Sequence, residues 1–368
     1  MTQKPTMDQV SGPDVAAQPE VESRRKPGLI LQLKNQRNWL GSICGILALI
    51  VLPQVYDQFF GSSSAFQLHR ISLIGIFILA ALAQNILTGY AAQPSLGNAA
   101  FFGVSAYILT WLSSDLGQPY WIGILVAVLV SALLGVLVGS PALRISGAHL
   151  AVATLGLVTT VGTLLNYWDT TAGRQNYDLS NLPDFLNDDH TLYYFIFAIV
   201  VCLLFLSYHL LHSRVGRAWI AIRDNETAAE AFGINLTKYK LQAFVISAAM
   251  TGLAGALYAT WATTASSSMS SADQTIAFLA MIVVGGLGSL TGSVLGAIFV
   301  GFLPVLLGQL PSPMLIGTFQ LQISTLITGI YGLLLLLVLI FFPSGLSSLG
   351  ARAGNWLQRN CSGEEQHG

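Results

Sequence analysis

Charge is what this sequence has least of. Asp, Glu, Lys and Arg make up 9% of its 368 residues, where a soluble domain carries about a quarter. No Asp, Glu, Lys, Arg or His occurs from Ile71 to Ser114, nor from Gln274 to Ala351. Each run is far longer than the ~20 residues that cross a bilayer as a helix. An ordinary soluble fold is excluded: the chain reads as an all-α polytopic integral membrane protein.

Other absences narrow the function. A net charge of −1 leaves no basic footprint for nucleic acid. The three cysteines, Cys44, Cys202 and Cys361, have neither metal-ligand nor disulfide-framework spacing. No lysine directly follows a glycine, so the phosphate-cradling pattern G-x-x-x-x-G-K-[ST] is missing. No Ser-His-Asp or His/Cys grouping is legible either, and no catalytic or metal-binding residue is assigned. His149 and His209 lie at membrane borders, where a histidine satisfied by its surroundings is the ordinary case. The expected spans carry no acid or base at mid-depth, which speaks against ion coupling. Sodium held by carbonyl and hydroxyl oxygens stays open. An energy source, if this is a pump, belongs on another chain.

What is present is a series of apolar runs divided by turn signals. They predict about ten spans, near 39–55, 71–88, 96–114, 120–140, 148–167, 191–211, 240–262, 274–290, 292–308 and 321–342. "GGLGSLTG" (Gly285–Gly292) reads either as a tight hairpin or as an unwound segment of one longer element. The N-terminal stretch 1–37 is polar and rich in proline, and it ends in a basic cluster. It is expected to be a disordered cytoplasmic tail followed by an uncleaved first span. The membrane domain is placed at 38–345 and a second cytoplasmic tail at 346–368. Lys and Arg bias supports both termini on the inside. It places an outer loop at 168–190, with Asp169, Asp178, Asp184, Asp188 and Asp189, and an inner loop at 212–240. Arg70 falls on the outer side as a minor exception.

The scarce charge is concentrated in that inner loop, with eight charged residues between Arg214 and Lys240. Asp224, Asn225, Glu226 and Thr227 form a helix entrance, with short polar acceptors and acids at the positive dipole end. Gly233, Ile234 and Asn235 end the helix. Ala228, Ala231 and Phe232 share a face, with Glu230 beyond it. A helix resting on lipid headgroups favours bulky apolar residues and basic flanks. This one offers alanines and acids, and suits a groove on another protein.

Three blocks of small residues lie inside the membrane segments. "GYAAQPSLGNAAFFGVSAY" (Gly89–Tyr107) begins with Gln93, Pro94, Ser95 and Asn98. It reads as a close-packing stripe with a polar entrance, or as part of a solute route lined by Gln93, Ser95 and Asn98. "GLAGALYA" and "GGLGSLTGSVLGA" invite the same packing reading, and Ser289 precedes Leu290 as Ser95 precedes Leu96.

These pieces, with "GSPALRISGAHLAVATLG" (Gly139–Gly156) and "SRVGRAWIAIRDNETAAEAFGINLTKYKLQAF" (Ser213–Phe244), resemble in order the branched-chain amino-acid permeases of ATP-binding-cassette importers, LivM branch. Length and polar tail look most like the neutral amino-acid permease subunits of cyanobacteria. The resemblance implies a bacterial inner-membrane subunit and a LivH-type sister permease. It also implies two ATP-binding subunits that use ATP as the cofactor, and a periplasmic amino-acid-binding protein. It places Arg223, Asp224, Asn225, Glu226, Ala228, Ala229, Glu230, Phe232 and Gly233 in the ATPase-coupling loop. Two positions depart from the family pattern: Ala92 stands where a glycine is usual, and Thr171-Ala172-Gly173 replaces T-G-G. A urea or short-chain amide permease shares the layout. An ion-driven secondary carrier and a non-transporting scaffold are the alternatives from other classes.

Overall fold

The computed structural model describes residues 64–142, 147–171, 173, 177–179, 181–307, 314–316, 319–321, 333 and 336. Both tails and the span expected near 39–55 lie outside the described residues. So does the span near 321–342, save positions 321, 333 and 336.

The described chain is helical almost throughout. Helix α1 (Ser64–Asn85) runs into a π turn, Ile86–Tyr90. An irregular stretch then leads to α2 (Asn98–Ser114). α3 (Tyr120–Ala142), α4 (Ala148–Thr171) and α5 (Asp189–His212) follow. Two short helices, α6 (Arg214–Asp224) and α7 (Glu226–Ala231), precede the long α8 (Leu236–Ala262). α9 (Ala272–Gly285) and α10 (Leu290–Leu307) form a hairpin. The two-residue strands β1 (Tyr177–Asp178) and β2 (Thr264–Ala265) pair antiparallel, as do β3 (Met314–Ile316) and β4 (Phe319–Leu321). Among the described residues, six helices are long and apolar enough to cross a membrane. The protein is a polytopic all-α membrane protein.

Its centre is α2, buried nearly end to end and packed by α8, α3, α4 and α9. Small residues allow this: a Cβ at Gly255 of α8 would lie 2.1 Å from the Phe102 carbonyl oxygen, and one at Gly252 would meet the Ser131 side chain. α1 and α8 are mostly buried, whereas α3, α4 and α5 are mostly exposed. α3 turns Leu125, Leu129, Leu133 and Leu137 outward, each more than half exposed, as a lipid-facing helix should.

Hydrogen bonds sort the loops into two ends. At one end, His69 meets Asp189 at 3.0 Å and Ser114 Oγ donates to the Asp178 carbonyl at 2.7 Å. There too, Leu179 N donates to the Thr263 carbonyl at 2.8 Å. The opposite end gathers the α1–α2 break, the α6–α7 segment and the α9–α10 turn. The expected outer and inner loops therefore lie at opposite ends. "GGLGSLTG" resolves as the tight hairpin, and glycine is required in it: a Cβ at Gly285 would come within 1.9 Å of the Gly292 carbonyl oxygen. One boundary moves. α4 continues to Thr171, so Asp169 sits in its last turn and is buried rather than in a loop.

Candidate coupling site

The segment Ser213–Lys240 is built from local hydrogen bonds that its sequence prescribes. Ser213 Oγ accepts from Val215 N at 3.1 Å and starts α6. Trp219 fixes that helix to α8: its ring is fully buried and Nε1 donates to the Tyr239 carbonyl at 2.9 Å. Asn225 caps α7, its Oδ1 accepting from Ala228 N at 3.0 Å. Gly233 ends it with φ +81°, while its N–H and that of Ile234 bond back to Glu230 and Ala229. Asn235 then caps α8 through Lys238 N at 3.0 Å.

α7 thus presents a defined face. Ala229 turns inward at 3% exposure, whereas Phe232 is 87% exposed. Asp224, Thr227, Ala228, Glu230 and Ala231 are exposed around it. Glu226 is held on the protein by Lys240 Nζ at 2.7 Å. A phenylalanine standing almost free among alanines and acids is an unfilled contact.

Arg223 points the other way, into the membrane domain. Its Nη1 donates to the Gly89 carbonyl in the π turn at 3.2 Å. The same atom lies 2.6 Å from where a Cβ on Gly288 would stand, so it fills the space over the α9–α10 turn. Beneath it, Asn85 joins the two turns. Its Nδ2 donates to the Ser289 carbonyl at 2.9 Å and to Ser293 Oγ at 2.7 Å, and its Oδ1 accepts from Gly288 N at 2.9 Å. The Leu290 N–H also bonds to the Tyr90 hydroxyl. One guanidinium on the loop therefore rests on two stapled breaks in the helical framework.

The residues expected along a solute route divide between two places. Ser289 belongs to the staple: its Oγ accepts from Gly292 N at 3.1 Å and opens α10. Gln93, Ser95 and Asn98 are buried together where α1 passes into α2. Gln84 Nε2 donates to the Ser95 carbonyl at 2.7 Å, and Asn98 Nδ2 to Ser247 Oγ at 3.1 Å. Ser247 gives its own proton to the Ala83 carbonyl at 2.8 Å, which fixes the Asn98 amide as the donor. Among the described residues, Gln84 Oε1, Gln93 Nε2, Asn98 Oδ1 and the Thr251 hydroxyl have no hydrogen-bond partner. Unfilled polar atoms at this depth are costly.

Sequence reading missed three features. Asn85 follows Gln84 in an otherwise apolar run, and this pair of intramembrane amides was the available signal. α6 went unrecognised because its arginines interrupt the pattern of Gly216, Trp219 and Ile222. The third is the outward face of α4, where Gly156, Thr159, Thr160, Thr163, Asn166 and Thr170 are all exposed. Thr160 and Thr163 bond back to carbonyls one turn earlier, at 2.8 Å each, which leaves hydroxyl oxygens outward. α3 offers leucines, whereas α4 interleaves threonine and asparagine with exposed Val152, Leu164, Tyr167 and Trp168.

The branched-chain amino acid transport system / permease component family matches residues 67–342. The chain belongs to this family. It is 30% identical over 283 residues to the high-affinity branched-chain amino acid transport system permease protein LivM of Salmonella typhimurium. That match covers 69% of this chain and 65% of the relative, so this chain spans about two thirds of the relative's length. The probable branched-chain amino acid transport permease protein LivM of Methanocaldococcus jannaschii is 24% identical over 315 residues, 74% of this chain and 90% of the relative. LivH of Escherichia coli K12, a permease protein of the same kind of system, is 29% identical over 146 residues, 40% of this chain and 44% of the relative. No solved structure matches the chain.

Proposed function

We propose that this protein is a membrane-spanning permease subunit of an ATP-binding-cassette importer for neutral or branched-chain amino acids. One observation carries the reading: α7 offers an exposed phenylalanine among alanines and acids, and the residue just before its cap, Asp224, follows an arginine seated on both helix breaks. That is a contact surface outside joined to a lever inside. ATP-binding subunits would push on Asp224, Ala228, Glu230, Ala231 and Phe232. Asn225 and Gly233 shape the contact, and Ala229 and Glu226 hold it to the permease.

The basic residues of 214–240 put this end in the cytoplasm under the positive-inside rule. About ten spans with both termini inside complete the topology, in the bacterial inner membrane, with domain limits 38–345. A LivH-type sister permease would face the α4 threonine surface, and the solute would pass between them. The unfilled polar atoms around Gln93 and Asn98 support a neutral route open to a zwitterion. A periplasmic binding protein would supply selectivity, and ATP would be used only on partner chains.

Reconstitution tests this. The chain, co-expressed with a sister permease and ATP-binding subunits, is expected to co-purify with them and to drive ATP-dependent uptake of leucine, alanine or proline into proteoliposomes. Uptake that survives without ATP and collapses with an ion gradient would assign a secondary carrier instead. Uptake of urea but not of amino acids would assign the amide branch.

A further inference from the structure

One carboxylate in this membrane domain has no use in the coupling scheme. Among the described residues, Asp169 is the only acidic or basic residue that is buried, at 3% exposure. Its Oδ2 accepts from the Tyr107 hydroxyl at 2.5 Å. Oδ1 has no hydrogen-bond partner, and no Lys or Arg pairs with Asp169 among the described residues. Protonating Oδ1 does not relieve this, because a buried O–H without an acceptor is also unsatisfied. Among the described residues, no donor fills this position.

The surroundings define what donor fits. The Tyr107 ring lies 6.4 Å from that of Tyr177, and Trp111, one turn further along α2, meets Trp168 edge-on at 6.4 Å. Trp168 adjoins Asp169 in sequence, and both tryptophans are partly exposed, Trp111 at 39% and Trp168 at 52%. A carboxylate oxygen, a hydroxyl and aromatic rings are the chemistry that holds an ammonium group. Tryptophans alone would mark only a membrane border; the unpaired carboxylate beside them is the added element.

We infer that Asp169, with Tyr107 and the Trp111–Trp168 pair, forms a subsite for the α-ammonium group of the translocated amino acid, at the end of the bundle opposite the coupling loop. This rests on the importer reading above and adds the first protein group met by the solute after delivery. A bare alkali cation shares the charge but not the directed N–H donors.

The test measures binding of a labelled amino acid to the purified assembly in the absence of the binding protein. The probe is whichever of leucine, alanine and proline the wild-type complex imports. Butylammonium is expected to compete, and 4-methylpentanoate is not. Asp169→Asn should weaken binding by about tenfold or more and abolish competition by butylammonium, as expected when a charge-assisted contact is lost. Tyr107→Phe keeps the ring and should weaken binding less. Where Asp169→Asn fails to assemble, Tyr107→Phe and amine competition on the wild type decide the matter. Wild-type affinity in both variants, or binding that follows sodium concentration and ignores butylammonium, overturns the inference. A wild-type complex that imports no amino acid overturns the importer reading itself.

Discussion

The Arg223 guanidinium donates to the Gly89 carbonyl at 3.2 Å, across 134 residues of sequence. That one contact joins the exposed inner loop to a helix of the buried core. It also rests against Gly288, so that under the importer reading a movement of α6 would reach α1 and the α9–α10 turn at once. Packed elements with alternative arrangements carry coupling in this way.

Replacing Arg223 separates the lever from the contact surface. Arg223→Ala should leave membrane insertion and recovery of the ATP-binding subunits unchanged, while ATP-driven uptake falls about tenfold or more. Arg223→Lys should restore little, because an ammonium lacks the fork that reaches Gly89 while covering Gly288. Equal uptake in all three proteins contradicts the lever.

Asn85→Ala removes the three hydrogen bonds by which Asn85 joins the two turns. It leaves the Gly288 N–H unpaired and should cost about 1–3 kcal/mol, read as a lower melting temperature in detergent. A variant as stable as the wild type would show that the two turns hold each other without Asn85.

Ala92 has φ +51°, a left-handed conformation that costs a residue with a Cβ about 1–2 kcal/mol. The glycine that the family resemblance leads one to expect here would avoid that strain. Ala92→Gly should therefore raise the melting temperature, although glycine is entropically costly elsewhere. A decrease would mean that neighbouring contacts of the Ala92 methyl outweigh the strain.

Phe232 tests the outer surface. At 87% exposure its side chain contributes little to the fold, so Phe232→Ala should change stability by less than about 0.5 kcal/mol. Recovery of the ATP-binding subunits should drop sharply. Combined replacement of Glu226 and Gly233 is expected to abolish uptake while insertion persists, since it loses the Lys240 tether and the φ +81° stop.

Local features of this protein were legible and long-range ones were not. Asp224 to Thr227 announced a helix start and Gly233 its end, because caps use residues within a few positions of each other. The ten-span pattern followed from hydropathy, and its described part agrees to within about four residues at most ends. The α9–α10 hairpin stayed open between two readings, since glycine permits both a turn and an unwound helix. Asp169 was assigned to a loop because charge weighs against a span, and only the Tyr107 contact from another helix shows why it is tolerated. The Asn85 staple joins residues 203 positions apart, which no periodicity encodes. The α4 threonines look like ordinary helix residues until the leucines of α3 are seen at comparable exposure.

The central claim is that ATP-binding subunits seat on α7. Its most direct test is a photo-crosslinking residue placed at Phe232, with a control at Phe185, which is 47% exposed at the opposite end. In the assembled transporter the probe at 232 should yield an adduct with an ATP-binding subunit, and the probe at 185 should not. An ATP-binding-subunit adduct at 185 and none at 232 would contradict both the docking surface and the orientation in the membrane.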